Sequence, residues 1–191
     1  MVSDYGEQRK AAVRARNAKN KQRGRDMEIR IAKYLSGNRV PMSGSGSIKG
    51  DGQVFCDHGY LFVECKHSAV VDVCGVPRIR IPFNWLSKME LQAGYMKAAL
   101  AVLVFHFHAA RMQDYALVSE KDFKRIAIED NHAITETVDK HGRRGWHITQ
   151  KFLESALVKY NSLIRMECNE GVFFVMRLAY FRQLVHKEVC E

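Results

Sequence analysis

The stretch DGQVFCDHGYLFVECK, running from Asp51 to Lys66, decides how this chain is read. Residues 53–56 and 60–66 are rich in residues that favour strands, and they flank Asp57-His58-Gly59. That arrangement predicts a tight hairpin. Side chains alternate along a strand with period two, so Glu64 and Lys66 point to one face and Cys65 to the other. Asp51 stands just before the first strand, within reach of Glu64 across the pair. Two carboxylates and one ammonium then converge. Hard oxygen donors of this sort suit Mg²⁺ (or Mn²⁺), which takes one or two carboxylates and keeps most of its waters. A bound metal lowers the pKa of its water, and a neighbouring lysine steadies developing negative charge. Such a group of side chains is suited to attack on a phosphodiester. Asp57 is a rival to Asp51, but it falls in the expected turn.

Working outward, Ser43-Gly44-Ser45-Gly46-Ser47 reads as a flexible loop, followed by Lys49 and Gly50. Before it, residues 26–35 predict a helix, with Ile31 and Leu35 at helical spacing and Gly37 as its stop. Glu28 falls on the same face as Ile31 and Leu35. A carboxylate on a core-facing stripe is costly unless it is paired or bound to metal, so Glu28 joins the candidate site. Its place in the first helical turn, where the macrodipole favours an acid, is the other account.

After the hairpin, residues 68–77 read as a loop and residues 78–81 alternate like a strand until Pro82. Asn84 is the expected N-cap of a helix over 85–97, with Trp85, Met89 and Met96 on one stripe. Gln92 lies two turns from Trp85 on the same face, where it could serve the cluster as a polar helper. Residues 99–106 predict a buried strand and 115–118 another. Ser119 then caps a helix to about residue 128. Residues 129–145 are polar and predict a linker or exposed loop. Thr149 caps an amphipathic helix whose apolar face includes Phe152, Leu153, Ala156, Leu157 and Tyr160. Residues 163–167 and 172–176 predict a second hairpin, and 178–186 a last helix. Tyr115-Ala-Leu-Val with Asp122-Phe-Lys-Arg-Ile is faintly echoed by Phe173-Phe-Val-Met with Tyr180-Phe-Arg-Gln-Leu. Both read as strand then helix.

A helix bearing Glu28, a Gly-Ser loop, Lys49-Gly50-Asp51, a hairpin and Glu64-Cys65-Lys66 together resemble the PD-(D/E)XK nuclease superfamily. The segment is most similar to its Holliday-junction-resolvase-like branch, which includes small phage endonucleases. The resemblance covers residues 26–106, including the helix with Lys88 and Gln92. It implies an α/β restriction-endonuclease-like core with a mixed sheet flanked by helices. It implies that Asp51 and Glu64 hold the metal, that Lys66 acts on the nucleophile or phosphate, and that Glu28 assists. It places Ser45 and Ser47, with Lys49 beside them, near DNA phosphates. Where the family pattern carries a proline before the Asp, this chain has Gly50. The resemblance also implies hydrolysis of branched DNA by a homodimer. A nuclease of linear duplex or single-stranded DNA, or an inactive DNA-binding protein, are the alternatives. The resemblance does not extend to the region after residue 128.

Charge points to the same partner. The 191 residues carry 30 Lys+Arg and 21 Asp+Glu, a net +9. Residues 1–25 hold Arg9, Lys10, Arg14, Arg16, Lys19, Lys21, Arg23 and Arg25 against Asp4 and Glu7, a net +6. The other 166 residues carry +3. Such an arm suits a polyanion through phosphate contacts and counterion release, with Arg14, Arg16, Lys19, Lys21, Arg23 and Arg25 as DNA-binding candidates. A solvated tail is the plainer account. The arm is expected to be mobile alone and helical on DNA. Three parts result: a basic arm (1–25), a nuclease core (26–128) and a C-terminal α+β extension (129–191).

No apolar run approaches the ~18 residues of a membrane span. Five cysteines, an odd count, with no zinc-ribbon spacing and no export signal predict a reducing, cytoplasmic setting, the host's if the source is viral. The Gly-Ser loop is no NTP-binding loop, because Lys49 precedes Gly50 and a strand follows. Cys56-x-His58 with Cys65-x-His67 makes a poor zinc set, and both cysteines read as small core residues. His106-x-His108 reads as a strand end reaching solvent, with a metal pair as the alternative. Arg143 and Arg144 beside Trp146 read either as a nucleic-acid contact or as a solvated loop.

Overall fold

The structure, a computed structural model, describes residues 3–39, 52–68, 70–71, 73–107, 113–127, 133–138 and 144–186. Helix α1 (Ser3–Tyr34) leads to the short strand β1 (Asn38–Arg39). Strands β2 (Gly52–Cys56) and β3 (Gly59–Ser68) form the expected hairpin, with Cys56 opposite Gly59 and Gly52 opposite Val63. Gly59 closes the turn at a φ of 110°, a region that side chains with a Cβ hold only under strain. Then come β4 (Arg78–Pro82), α2 (Phe83–Tyr95), β5 (Leu100–Phe107), β6 (Asp114–Ser119) and α3 (Glu120–Ile126). The chain ends in β7 (Ala133–Val138), β8 (Gly145–Thr149), α4 (Gln150–Ala156), β9 (Ser162–Cys168), β10 (Gly171–Arg177) and α5 (Leu178–His186).

Among the described residues, eight strands form one mixed sheet in the order β1-β2-β3-β5-β6-β10-β9-β7. β3 pairs parallel with β5, and β7 with β9; the other neighbours are antiparallel. Central strand β5 is buried on both faces. Val102 and Val104 pack with Met27, Ile31 and Leu35 of α1, Phe123 of α3 and Phe181 of α5. Ala101, Leu103, Phe105 and Phe107 pack on the other face with Leu86 and Met89 of α2, Leu153 of α4, and the separate β4–β8 ribbon. Such a strand reads as a continuous apolar run, as this one does. The molecule is therefore α/β, with helices on both sides of a mixed sheet. Strand β10 joins β6 directly, so residues on both sides of position 128 share the sheet and both apolar clusters.

Several expectations change. The arm is not a separate segment: α1 is one helix through Gly24, with residues 6–22 exposed. Nucleating a helix is the unfavourable step and extending one is nearly free. The docked turns of Met27, Ile31 and Leu35 supply the nucleus, and the Ala, Arg, Lys and Gln of the arm propagate it. Residues 129–145 are not all loop, because β7 pairs along β9 and β8 begins at Gly145. Trp146 is buried, with its ring edge-on to Phe83 and Phe173, so it is a core residue, while Arg144 is exposed. A Cβ on Gly145 would sit 2.7 Å from the Ile81 carbonyl oxygen, so the close ribbon crossing needs glycine there. Helix α2 starts at Phe83 with no side-chain cap, and the Phe83 N–H donates to the Arg144 carbonyl at 3.1 Å in place of an Asn84 cap. The Ser119 and Thr149 caps form as expected, accepting from the N–H of Asp122 and Phe152. Helix α4 ends at Ala156, so Tyr160 lies beyond it.

Candidate functional site

Strand β3 carries the centre of the site. Val63 and Cys65 face the α1 side of the sheet, so Phe62, Glu64 and Lys66 face the α2 side. Glu64 lies beside Leu103, and Lys66 beside Phe105, on the parallel strand β5. The Lys66 ammonium donates to Glu64 Oε1. Both side chains keep partial access to solvent, at 29% and 22%. The same ammonium stands 5.2 Å from the centre of the Trp85 ring, a cation–π contact.

Helix α2 forms the wall. Leu86, Met89 and Ala93 anchor it on the sheet. That docking turns Trp85, Lys88 and Gln92 along one side at roughly one-turn spacing. Together with Glu64, Lys66 and Met89 they line a cavity of about 90 Å³, which is room for several waters. Two cations, one carboxylate, one amide and an aromatic ring thus meet in one small recess. Gln92, expected as a polar helper, does reach it. Lys88 is the residue whose role in the cavity was missed; its signal was the spacing of three from Trp85 and four to Gln92.

The second carboxylate, Asp51, lies outside the described residues, as do Ser45, Ser47 and Lys49. The nearest described position is Gly52, which pairs with Val63, the residue before Glu64. Asp57 is exposed in the hairpin turn, and its N–H donates to the Val185 carbonyl at 3.2 Å. From Gly59 to Glu64 the strand advances about 17 Å, so the turn is remote from the Glu64 carboxylate. Glu28 is partly exposed on α1, the helix that packs on the other face of the sheet, and it does not line the cavity. Among the described residues no three His, Cys, Asp or Glu side chains gather as a metal-binding group. Cys56 and Cys65 pack against the apolar cluster under α1, and burial pushes the Cys56 thiol up.

A second charged group lies on the opposite face and had no sequence signal. Arg30 of α1 grips Asp114 of β6 with both guanidinium nitrogens, one of them donating to Asp114 Oδ1 at 2.8 Å. His106 Nδ1 lies 3.2 Å from the same carboxylate, and the His67 ring stacks on His106 with centroids 5.8 Å apart. His106 is therefore not a solvent-facing strand end; its side chain is 13% exposed. His108 lies outside the described residues. Burial alone would raise the Asp114 carboxyl. The Arg30 hydrogen bonds, then His106, overturn that and hold it below its ordinary value. The bond to Asp114 likewise raises Arg30.

The basic side chains of the arm are solvent-facing. Arg9, Lys10, Arg14, Arg16, Lys19, Lys21 and Arg25 are exposed on α1, and Arg23 is half-buried. Among the described residues, no helix is long and apolar enough to cross a membrane. No protein-family model, no curated protein and no solved structure matches the chain.

Proposed function

We propose that this chain is a metal-dependent DNA endonuclease of the restriction-endonuclease-like fold, hydrolysing phosphodiester bonds in branched DNA. The observation that carries this reading is the recess on β3, where Glu64 and Lys66 share one face under Trp85, Lys88 and Gln92. The order hairpin, helix, then a strand parallel to the second hairpin strand supports it as well. Asp51 and Glu64 would hold Mg²⁺ or Mn²⁺. The donor set fits, because Mg²⁺ needs only one or two carboxylates when it keeps its waters. When bound, the ion supplies Lewis acidity toward the water and the scissile phosphate.

The chain's own residues do the rest. Lys66 gives up its bond to Glu64 and turns its ammonium to the phosphate oxygens, where negative charge grows in the transition state. Trp85 limits where that ammonium can go. Lys88 adds a second cation at the rim, and Gln92 can donate to a phosphate oxygen or orient water. Water oxygen bonds to phosphorus as one P–O ester bond breaks, and the leaving oxygen takes up a proton. Ser45, Ser47 and Lys49 would meet phosphates. The basic arm supplies attraction to the polyanion. A junction has two symmetry-related strands to cut, so the active form is a homodimer.

The test uses a labelled four-way junction and a matched linear duplex, with Mg²⁺ or EDTA, for wild type and Lys66→Ala. Paired nicks in the junction alone are expected, lost with EDTA and reduced roughly 10²- to 10⁴-fold in the variant while binding persists. Cleavage of both substrates would keep the chemistry and discard the preference for branches. Tight binding with no cutting under any metal would leave only a DNA-binding protein. Full activity in Lys66→Ala would remove the mechanism.

A further inference from the structure

The exposed half of α1 has a pattern that a mere counterion tail does not need. Successive helical residues turn by about 100°. Arg9, Arg16 and Arg23, seven apart, therefore fall along one side. Arg14, Lys21 and Arg25 fall along another, roughly 150° away. Midway between these stripes lie Asn17 and Asn20, three apart, with Gly24 and exposed Val13 on the same face. Ala15 occupies the opposite side of the helix, and Ala11 and Ala18, each at a multiple of seven from Arg25, border the second stripe. Lys19 stands outside both stripes, and Glu7 interrupts the second near its N-terminal end. The arm side chains named here are exposed except Arg23, which is half-buried. The helix is continuous with the docked turns, so the pattern is held on one helix and not averaged over coil conformations.

We infer that this helix is a major-groove reader of B-form duplex DNA, with its two basic stripes on the phosphates of the two groove walls and Asn17 and Asn20 directed at base edges. The dimensions agree. A helix about 10–12 Å across fits a major groove about 12 Å wide. Residues 3–25 span about 34 Å, close to one turn of duplex. Asparagine offers a donor and an acceptor, the complement of an adenine edge. A-form RNA has a major groove too narrow for a helix, so duplex RNA is excluded as the partner. The inference rests on the nucleic-acid half of the proposed function and not on its chemistry.

The test is equilibrium binding of the full chain in EDTA, where no cutting is possible, to duplex DNA and duplex RNA of matched sequence. Wild type is expected to favour DNA at least tenfold. Ala18→Pro leaves every charge in place and lies well off the asparagine face, but it breaks the helix. It is expected to weaken DNA binding at least tenfold while leaving the melting temperature of the core unchanged. Asn17→Ala with Asn20→Ala is expected to flatten preference among duplex sequences and leave the salt dependence as it was. Arg16→Gln is expected to lower the salt slope by about one. Equal affinity for RNA and DNA, or full affinity in Ala18→Pro, overturns the inference and leaves a flexible polycation. These outcomes are independent of cleavage: loss of nuclease activity with the binding pattern intact would sink the enzyme and keep the reader.

Discussion

Two charged groups lie back to back on the same sheet, separated by the thickness of β3 and β5. On the α1 face, Asp114 is 8% exposed and accepts from Arg30 through both oxygens, with His106 beside it. On the α2 face, Glu64 and Lys66 bond each other and open into a recess that holds another cation and an amide. The first group joins α1 to β6 and closes its carboxylate off from solvent, although the Arg30 side chain is partly exposed. The second keeps access to water and has side chains that can exchange partners. A buried carboxylate gripped at both oxygens acts as a structural tie. A partly exposed ion pair costs little to break, so its members can turn to a substrate. Charge alone does not mark a site; access and spare bonding capacity do.

The contrast can be broken most sharply at Arg30. Arg30→Met strands the Asp114 carboxylate with only His106 beside it. It should cost about 2 kcal/mol, below the roughly 3–5 kcal/mol of a fully buried pair because Arg30 is partly exposed. Denaturant titration should show that loss, with a melting temperature lower by about 4–8 °C. A variant as stable as wild type would deny Asp114 its structural role.

Next in size is a pH effect with a definite sign. The Asp114 carboxyl is held below its ordinary 3.8 in the fold. Its stabilising contribution is therefore complete above that value and is lost as pH falls through the lower, folded value. Stability measured by urea unfolding should drop more steeply below about pH 4 in wild type than in Asp114→Asn. Parallel curves would show that other carboxyls dominate acid unfolding.

The smallest effect on stability belongs to the other face. Lys66→Met removes a partly exposed ion pair and should move stability by less than about 1 kcal/mol in either direction. A loss as large as that of Arg30→Met would make Glu64–Lys66 a structural pair after all.

Much of the site's centre was legible in the sequence, because its geometry is local. Period-two alternation places Glu64 and Lys66 on one face whatever surrounds them, and Asp57-His58-Gly59 supplies its own turn. The Ser119 and Thr149 caps need only a hydroxyl and an N–H three residues on. The echo of β6–α3 in β10–α5 was visible for the same reason: each strand runs directly into its helix. The wall of the recess was half legible. Gln92 could be placed by helical spacing from Trp85, but the docked face of α2 is Leu86, Met89 and Ala93, which the Trp85–Met89–Met96 stripe misstated.

What remained hidden depends on distant partners. Arg30 and Asp114 are 84 residues apart, and no local pattern joins an arginine on a helix to an aspartate opening a strand. Strand β7, Ala133–Val138, carries β-branched residues inside a polar stretch, and its pairing with β9 shows it to be strand. Trp146 is buried because β8 crosses β4 at Gly145, closer than any side chain would permit. The arm's residues allow a helix but do not require one; the docked turns that follow make it one. The hairpin, the shared face of Glu64 and Lys66, and the caps could thus be read before folding, since each is settled among neighbours by backbone geometry. Which helix walls the recess, which carboxylate is locked, and how far α1 runs emerge with packing. Those outcomes depend on burying apolar faces and pairing charges between segments that meet only when the chain has packed.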